Sequence, residues 1–136
     1  MKCLGLDLGT KTLGLAISDK LGLIANPYKV LKYNDINLLI EDVKKVIDNE
    51  KIEALVLGLP KNMNGSLGFA AKRSLDFKEL LEKEVDLPIY LVDERLSTVE
   101  AENMLIGADV SRKKRKEVID GLAASVILDT FLKMKG

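Results

Sequence analysis

Three acidic positions stand where a carboxylate is out of place. Asp7 interrupts the apolar run Lys2–Leu8, and burying a carboxylate without a partner or a metal is costly. The alternative is a turn Asp bonded to a nearby backbone N–H. Asp93 and Glu94 end a second apolar run, Pro88–Val92. Successive strand residues point to opposite faces, so only one of the two can share a site with Asp7. Glu94 is the candidate and Asp93 its alternative; the one left over is read as a helix cap, a solvated charge or a partner for Arg95. Asp120 precedes Ala123, Ala124, Ile127 and Phe131 at spacings of three and four, which sets it at the edge of an apolar helical face. Pairing with Lys113 or Lys116 is its alternative use. An oxygen-rich set without His or Cys suits hard cations such as Mg²⁺ or Mn²⁺. Two such ions, roughly 3.5–4 Å apart, activate a water and stabilise the leaving oxygen of a phosphodiester.

Composition removes the competing chemistries. The chain has no His, so Ser-His-Asp triads and His-ligated zinc are excluded. Its one Cys, Cys3, excludes an internal disulfide, reads as a core residue and fits a reducing cytoplasm. No signal peptide is visible, and no apolar stretch approaches the roughly 20 residues that span a bilayer. Lys+Arg and Asp+Glu both count 21, so any surface for a charged partner must be local. With 136 residues, 47% hydrophobic and 31% charged, the expectation is one globular domain over 1–136.

The acidic positions need elements to carry them. Lys2–Leu8 and Leu13–Asp19, joined by Gly9-Thr10-Lys11-Thr12, read as a β-hairpin. A third strand lies within Ile24–Tyr33, with Asn26-Pro27 marking a bend or an edge. Asp35 caps a helix whose face is Ile36, Leu39, Ile40, Val43, Val46 and Ile47. Ala54–Gly58 is a strand buried on both faces, followed by the polar loop Leu59–Gly68 and a helix over Phe69–Glu84. After the strand Pro88–Val92, Ser97 and Glu100 form a capping box for a helix to Ile106, which Gly107 stops. A final helix covers Arg112–Met134. Short turns make the first three strands antiparallel, and helical crossovers set the fourth and fifth parallel to the first. The result is an open mixed α/β sheet, whose ligands gather at the carboxyl ends of the parallel strands. Small residues around Asp120 (Gly121, Ala123, Ala124) and on the hairpin (Gly5, Gly14, Ala16, Ser18) would let the last helix come close and carry Asp120 towards Asp7.

Basic and polar residues surround those strand ends. Thr10 and Lys11 follow Asp7 closely, as a phosphate contact or as a plain turn. The 58–68 loop offers Lys61, Asn62, Asn64 and Ser66, and Lys72 and Arg73 start the next helix. Arg112-Lys113-Lys114-Arg115-Lys116 puts consecutive cations at a helix start, against the helix dipole. It is either a phosphate-binding run or a solvated face. With no Trp and 4% aromatic residues, backbone and shape recognition of a structured duplex is expected ahead of base stacking.

Four blocks in order carry a family resemblance: LGLDLGTKTLGLAISD (4–19), GLPKNMNGSLG (58–68), LVDERLSTVE (91–100) and DGLAA (120–124). From about residue 2 to 132 the chain resembles the YqgF family, also called RuvX, small bacterial RNase H-like proteins described as Holliday-junction resolvases or pre-16S rRNA nucleases. The resemblance implies a five-stranded sheet in the order 3-2-1-4-5, strand 2 antiparallel, with helices on both faces. It maps the family's acidic site onto Asp7, Glu94 and Asp120, binding Mg²⁺ or Mn²⁺. Thr10, Lys11, Lys61, Asn62, Arg73, Arg95, Arg112 and Arg115 are then the expected nucleic-acid contacts. The implied activity is cleavage of structured nucleic acid in the cytoplasm, at the 5′ end of pre-16S rRNA or at a Holliday junction, by a monomer or a homodimer. A non-catalytic binding module of the same fold is the second reading; an actin-like ATPase needs two such domains.

Overall fold

The computed structural model describes residues 1–60, 68–93 and 112–135, with side chains from 122 to 134 in the last segment. Strict alternation in the first strands divides their side chains between two cores. In β1 (Cys3–Leu8), Leu4, Leu6 and Leu8 join Leu13 and Leu15 of β2 (Thr12–Ser18) on one face of the sheet. Cys3 and Ala16 belong to the other face. β3 (Ala25–Lys32), β4 (Ala54–Leu59) and β5 (Ile89–Asp93) complete a sheet in the order β3-β2-β1-β4-β5. β2 is antiparallel to β1 and β3, and β4 is parallel to β1 and β5. That is the expected topology. β4 is buried along its whole length, as the strand between two parallel neighbours must be. β3 is an edge strand. Its pairing steps from Lys29 to Pro27 opposite Leu15 and Ala16, so Tyr28 forms a bulge beside the proline that cannot donate to a ladder.

Helices cover both faces. α1 (Ile36–Glu50) starts at Asp35, whose carboxylate accepts from the Asn37 N–H at 2.8 Å. It buries Leu39, Ile40, Val43 and Val46. α2 (Phe69–Glu84) buries Ala71, Ser74, Phe77 and Leu81. Both pack on the leucine-rich face. Each fully buried Leu there contributes about 1.5–3 kcal/mol. The last helix, α3 (Arg112–Lys135), lies on the other face through Ala124, Ile127, Leu128 and Leu132. The expected 97–106 helix lies outside the described residues. Among the described residues no helix is long and apolar enough to cross a membrane.

The direction of α3 follows from two glycines. A Cβ on Gly22 would lie 2.9 Å from the Met1 carbonyl and 3.7 Å from Leu132, so Leu132 sits by the start of β1. A Cβ on Gly5 would meet the Ala124 carbonyl and Leu128 Cβ, both at 2.9 Å. α3 therefore runs against β1, and Gly5 is where its backbone comes down onto the sheet. The small-residue approach expected for the hairpin is present there.

Candidate active site

Asp7 is half-buried one residue before the end of β1. By alternation with Cys3 and Gly5 its side chain belongs to the α3 face. Gly14 is its partner on β2. On β4 the register Leu6↔Leu57 brings Gly58 next in line. Asp7 thus stands between two strand residues that have no side chains. Among the described residues nothing donates a hydrogen bond to its carboxylate or forms an ion pair with it. No turn-capping bond to Asp7 is present among the described residues, and the Gly9 N–H bonds to the Thr12 carbonyl at 2.8 Å.

Asp93 takes the other face. The β4–β5 register pairs Leu55 with Ile89, Leu57 with Leu91 and Leu59 with Asp93, and Leu55 and Leu57 belong to the leucine-rich core. Val92, one residue earlier, packs under α3. Asp93 is therefore turned away from Asp7. Glu94 lies outside the described residues.

Asp120 is placed by its backbone alone. Ala124 sits over Gly5. Four residues back along a helix is about 6 Å, and two residues forward along β1 is about 6.6 Å. With α3 antiparallel to β1, the Asp120 backbone comes level with Asp7. Among the described residues no three of His, Cys, Asp and Glu gather into a metal-binding group; Glu94 and the Asp120 side chain lie outside that set. The donor chemistry that is described fits a hard cation: an unbonded, half-buried carboxylate at the carboxyl end of a parallel strand.

The turn after Asp7 is clamped from a distance. Tyr33, just past β3, donates its hydroxyl to the Gly9 carbonyl at 2.5 Å, and its N–H bonds the Lys11 carbonyl at 3.0 Å. Burial raises the Tyr33 phenol above its ordinary value of 10.0, while the nearby Arg73 charge works the other way. The hydroxyl therefore stays a donor at neutral pH. Arg73, in the second turn of α2, thereby belongs to the same end of the sheet as the Gly9–Thr12 turn. Thr10 and Lys11 are exposed on that turn. Lys61, Asn62 and Arg95 lie outside the described residues. Arg112 and Arg115 open α3, and their side chains lie outside them too. Tyr33 had no signal in the sequence, since a tyrosine ending an edge strand is ordinary.

A model of the RuvX family, described as Holliday junction resolvase, matches residues 1–134. The chain belongs to this family. Relatives named "Putative pre-16S rRNA nuclease" include one from Geobacillus sp. (strain WCH70), 50% identical over 137 residues and spanning 99% of both chains. Another, from Natranaerobius thermophilus, is 52% identical over 132 residues, 97% of this chain and 94% of the relative. Among solved structures, Thermus thermophilus RuvC superposes with a TM-score of 0.62 at 18% identity, over 99% of this chain and 97% of that one. The Fowlpox virus resolvase bound to substrate Holliday junction DNA gives 0.56 at 10% identity, over 99% of each chain. At those identities the likeness is one of fold, and the RuvX sheet order matches it: the fold is RNase H-like.

Proposed function

We propose that this RuvX-family chain is a metal-dependent nuclease of structured nucleic acid, acting as one domain in the cytoplasm. Its substrate is the 5′ end of a pre-16S rRNA precursor or a Holliday junction. The single observation that carries the reading is Asp7: half-buried, unbonded among the described residues, flanked by Gly14 and Gly58, and faced by the helix that bears Asp120. Asp7, Glu94 and Asp120 are assigned as the ligands of Mg²⁺ or Mn²⁺, two ions in the working site. Glu94 is chosen over Asp93 because Asp93 takes the opposite face. Bound there, the cations would lower the pKa of an attacking water and neutralise the leaving oxygen. The protein's own part is to hold the phosphodiester in line: Thr10 and Lys11 from the clamped turn, Arg73 from α2, and Lys61, Asn62, Arg95, Arg112 and Arg115 around them. Names of relatives support an RNA precursor, and the family description supports a junction.

The test is incubation of the full chain with Mn²⁺ and matched panels of branched DNA and precursor RNA. Cleavage of either panel, lost in Asp7→Asn, supports the nuclease and identifies the substrate. Tight binding without cleavage by the parent would make the chain a binding module. Divalent ions should also raise the melting temperature by relieving carboxylate repulsion, and that rise should vanish in Asp7→Asn while the metal-free protein melts as the parent does.

A further inference from the structure

Phe69 is 92% exposed, at the first position of α2. The other phenylalanines are placed differently: Phe77 is buried and Phe131 packs against Tyr90 with ring centroids 4.9 Å apart. Other apolar side chains are exposed too, Leu21, Leu38 and Met134 among them, but Phe69 is the exposed ring that stands beside cations in a groove. Its surroundings name the partner. Phe69 lines a surface groove of about 450 Å³ with Gly68, Lys72 and Leu75. Lys72 and Arg73, three and four residues on, share its side of the helix, and the first turn of α2 has no acidic residue. A flat apolar ring beside cations, with no carboxylate in its turn, matches a nucleobase and its phosphate better than an apolar protein surface. The location agrees. α2 follows β4, whose carboxyl end lies beside that of β1, and the charge of Arg73 reaches Tyr33, whose hydroxyl clamps the turn after Asp7.

We propose that Phe69 is a stacking platform for an unpaired nucleobase of the bound nucleic acid, with the neighbouring phosphate on Lys72. The inference rests on the nuclease reading and sharpens its substrate class: the preferred nucleic acid has unpaired nucleotides next to its duplex. Every base has a π-face, so the platform adds affinity without reading sequence, and a fully paired blunt duplex cannot use it.

The chain has no Trp, so Phe69→Trp introduces a single fluorophore at the platform. Binding is measured in EDTA to a blunt duplex and to the same duplex with an unpaired overhang, as RNA and as DNA. Expected for the parent is a preference for the overhang. Phe69→Ala and Phe69→Leu should each lose roughly tenfold on the overhang, about 1.4 kcal/mol, and almost nothing on the blunt duplex. Phe69→Trp should keep the preference, with its fluorescence quenched by the overhang alone. All three variants should melt as the parent does. Equal losses on both ligands, no loss on either, or unquenched fluorescence would overturn the platform. Because no metal is present, these results stand apart from catalysis. A lost preference with Mn²⁺-dependent cleavage intact removes Phe69 alone, and a retained preference without cleavage removes the nuclease alone.

Discussion

Asp93 and Glu94 are adjacent carboxylates with opposite expected fates, and the β4–β5 register separates them. Asp93 pairs with Leu59 and follows the leucine-rich face, so its loss should be felt by the fold. Asp93→Asn should lower stability by about 1 kcal/mol, the usual effect of a lost cap or local bond, and leave most of the cleavage rate. Glu94→Gln should slow cleavage about a thousandfold, about 4 kcal/mol of transition-state stabilisation, and melt like the parent without metal. Single-turnover rates with Mn²⁺, beside metal-free melting curves, check both. A dead Asp93→Asn with an active Glu94→Gln would exchange the two roles.

At the level of elements, the approach of α3 to β1 decides whether the acidic positions can meet. A Cβ on Gly5 would sit 2.9 Å from the Ala124 carbonyl, a backbone atom that cannot swing aside. Gly5→Ala should therefore push α3 outward, destabilise by about 1–3 kcal/mol as an overpacked core does, and shift the Asp120 backbone away from Asp7. The sign that α3 has moved is a smaller metal-induced rise in melting temperature, beyond the drop in the metal-free value. The β2–β3 connection carries a separate acid response at the far end of the sheet. The Ile24 and Leu23 amides bond to Asp19 at 3.1 and 2.7 Å and hold its carboxyl below 3.8. A depressed folded value means that the contribution is complete above the unfolded value and disappears as pH falls through the folded one. The parent's stability should thus decline below about pH 3.8 more steeply than that of Asp19→Asn, as denaturant titrations across that window would show.

Taken whole, the molecule has no net charge, so attraction to a polyanion has to come from where its cations lie. Lys11, Lys72 and Arg73 stand at the carboxyl end of the sheet. Arg112-Lys113-Lys114-Arg115-Lys116 opens α3 at the end that the antiparallel run directs there. Neutralising Arg112, Lys113, Arg115 and Lys116 together should weaken nucleic-acid binding and flatten the log K against log[salt] line, by roughly 0.9 for each duplex phosphate that the protein no longer neutralises. An unchanged slope would make the run a solvated face. The same titration on Phe69→Ala should leave the slope alone, since stacking releases no counterions.

Much of this arrangement is written in local pattern. Alternating apolar residues mark β1 and β2, the Asp35 cap marks the start of α1, and the bounds Phe69–Glu84 of α2 follow from its flanking loop. The crossover rule sets β4 and β5 parallel to β1, the strand order itself being what the family resemblance implies, and a carboxylate in an apolar run draws attention to Asp7. Each of these is legible because propensity, capping and periodicity act over a few neighbouring residues. Other features have no such trace. Tyr33 reaches Gly9 across 24 positions, the bulge at Tyr28 exists only against β2, and Gly5 is required only because Ala124 lies above it. The face taken by Asp93 depends on which residue of β4 it pairs with, and the exposure of Phe69 on how α2 seats its other side. Register and contact are agreements between distant segments, so they come into being only when the strands pair and the helices pack.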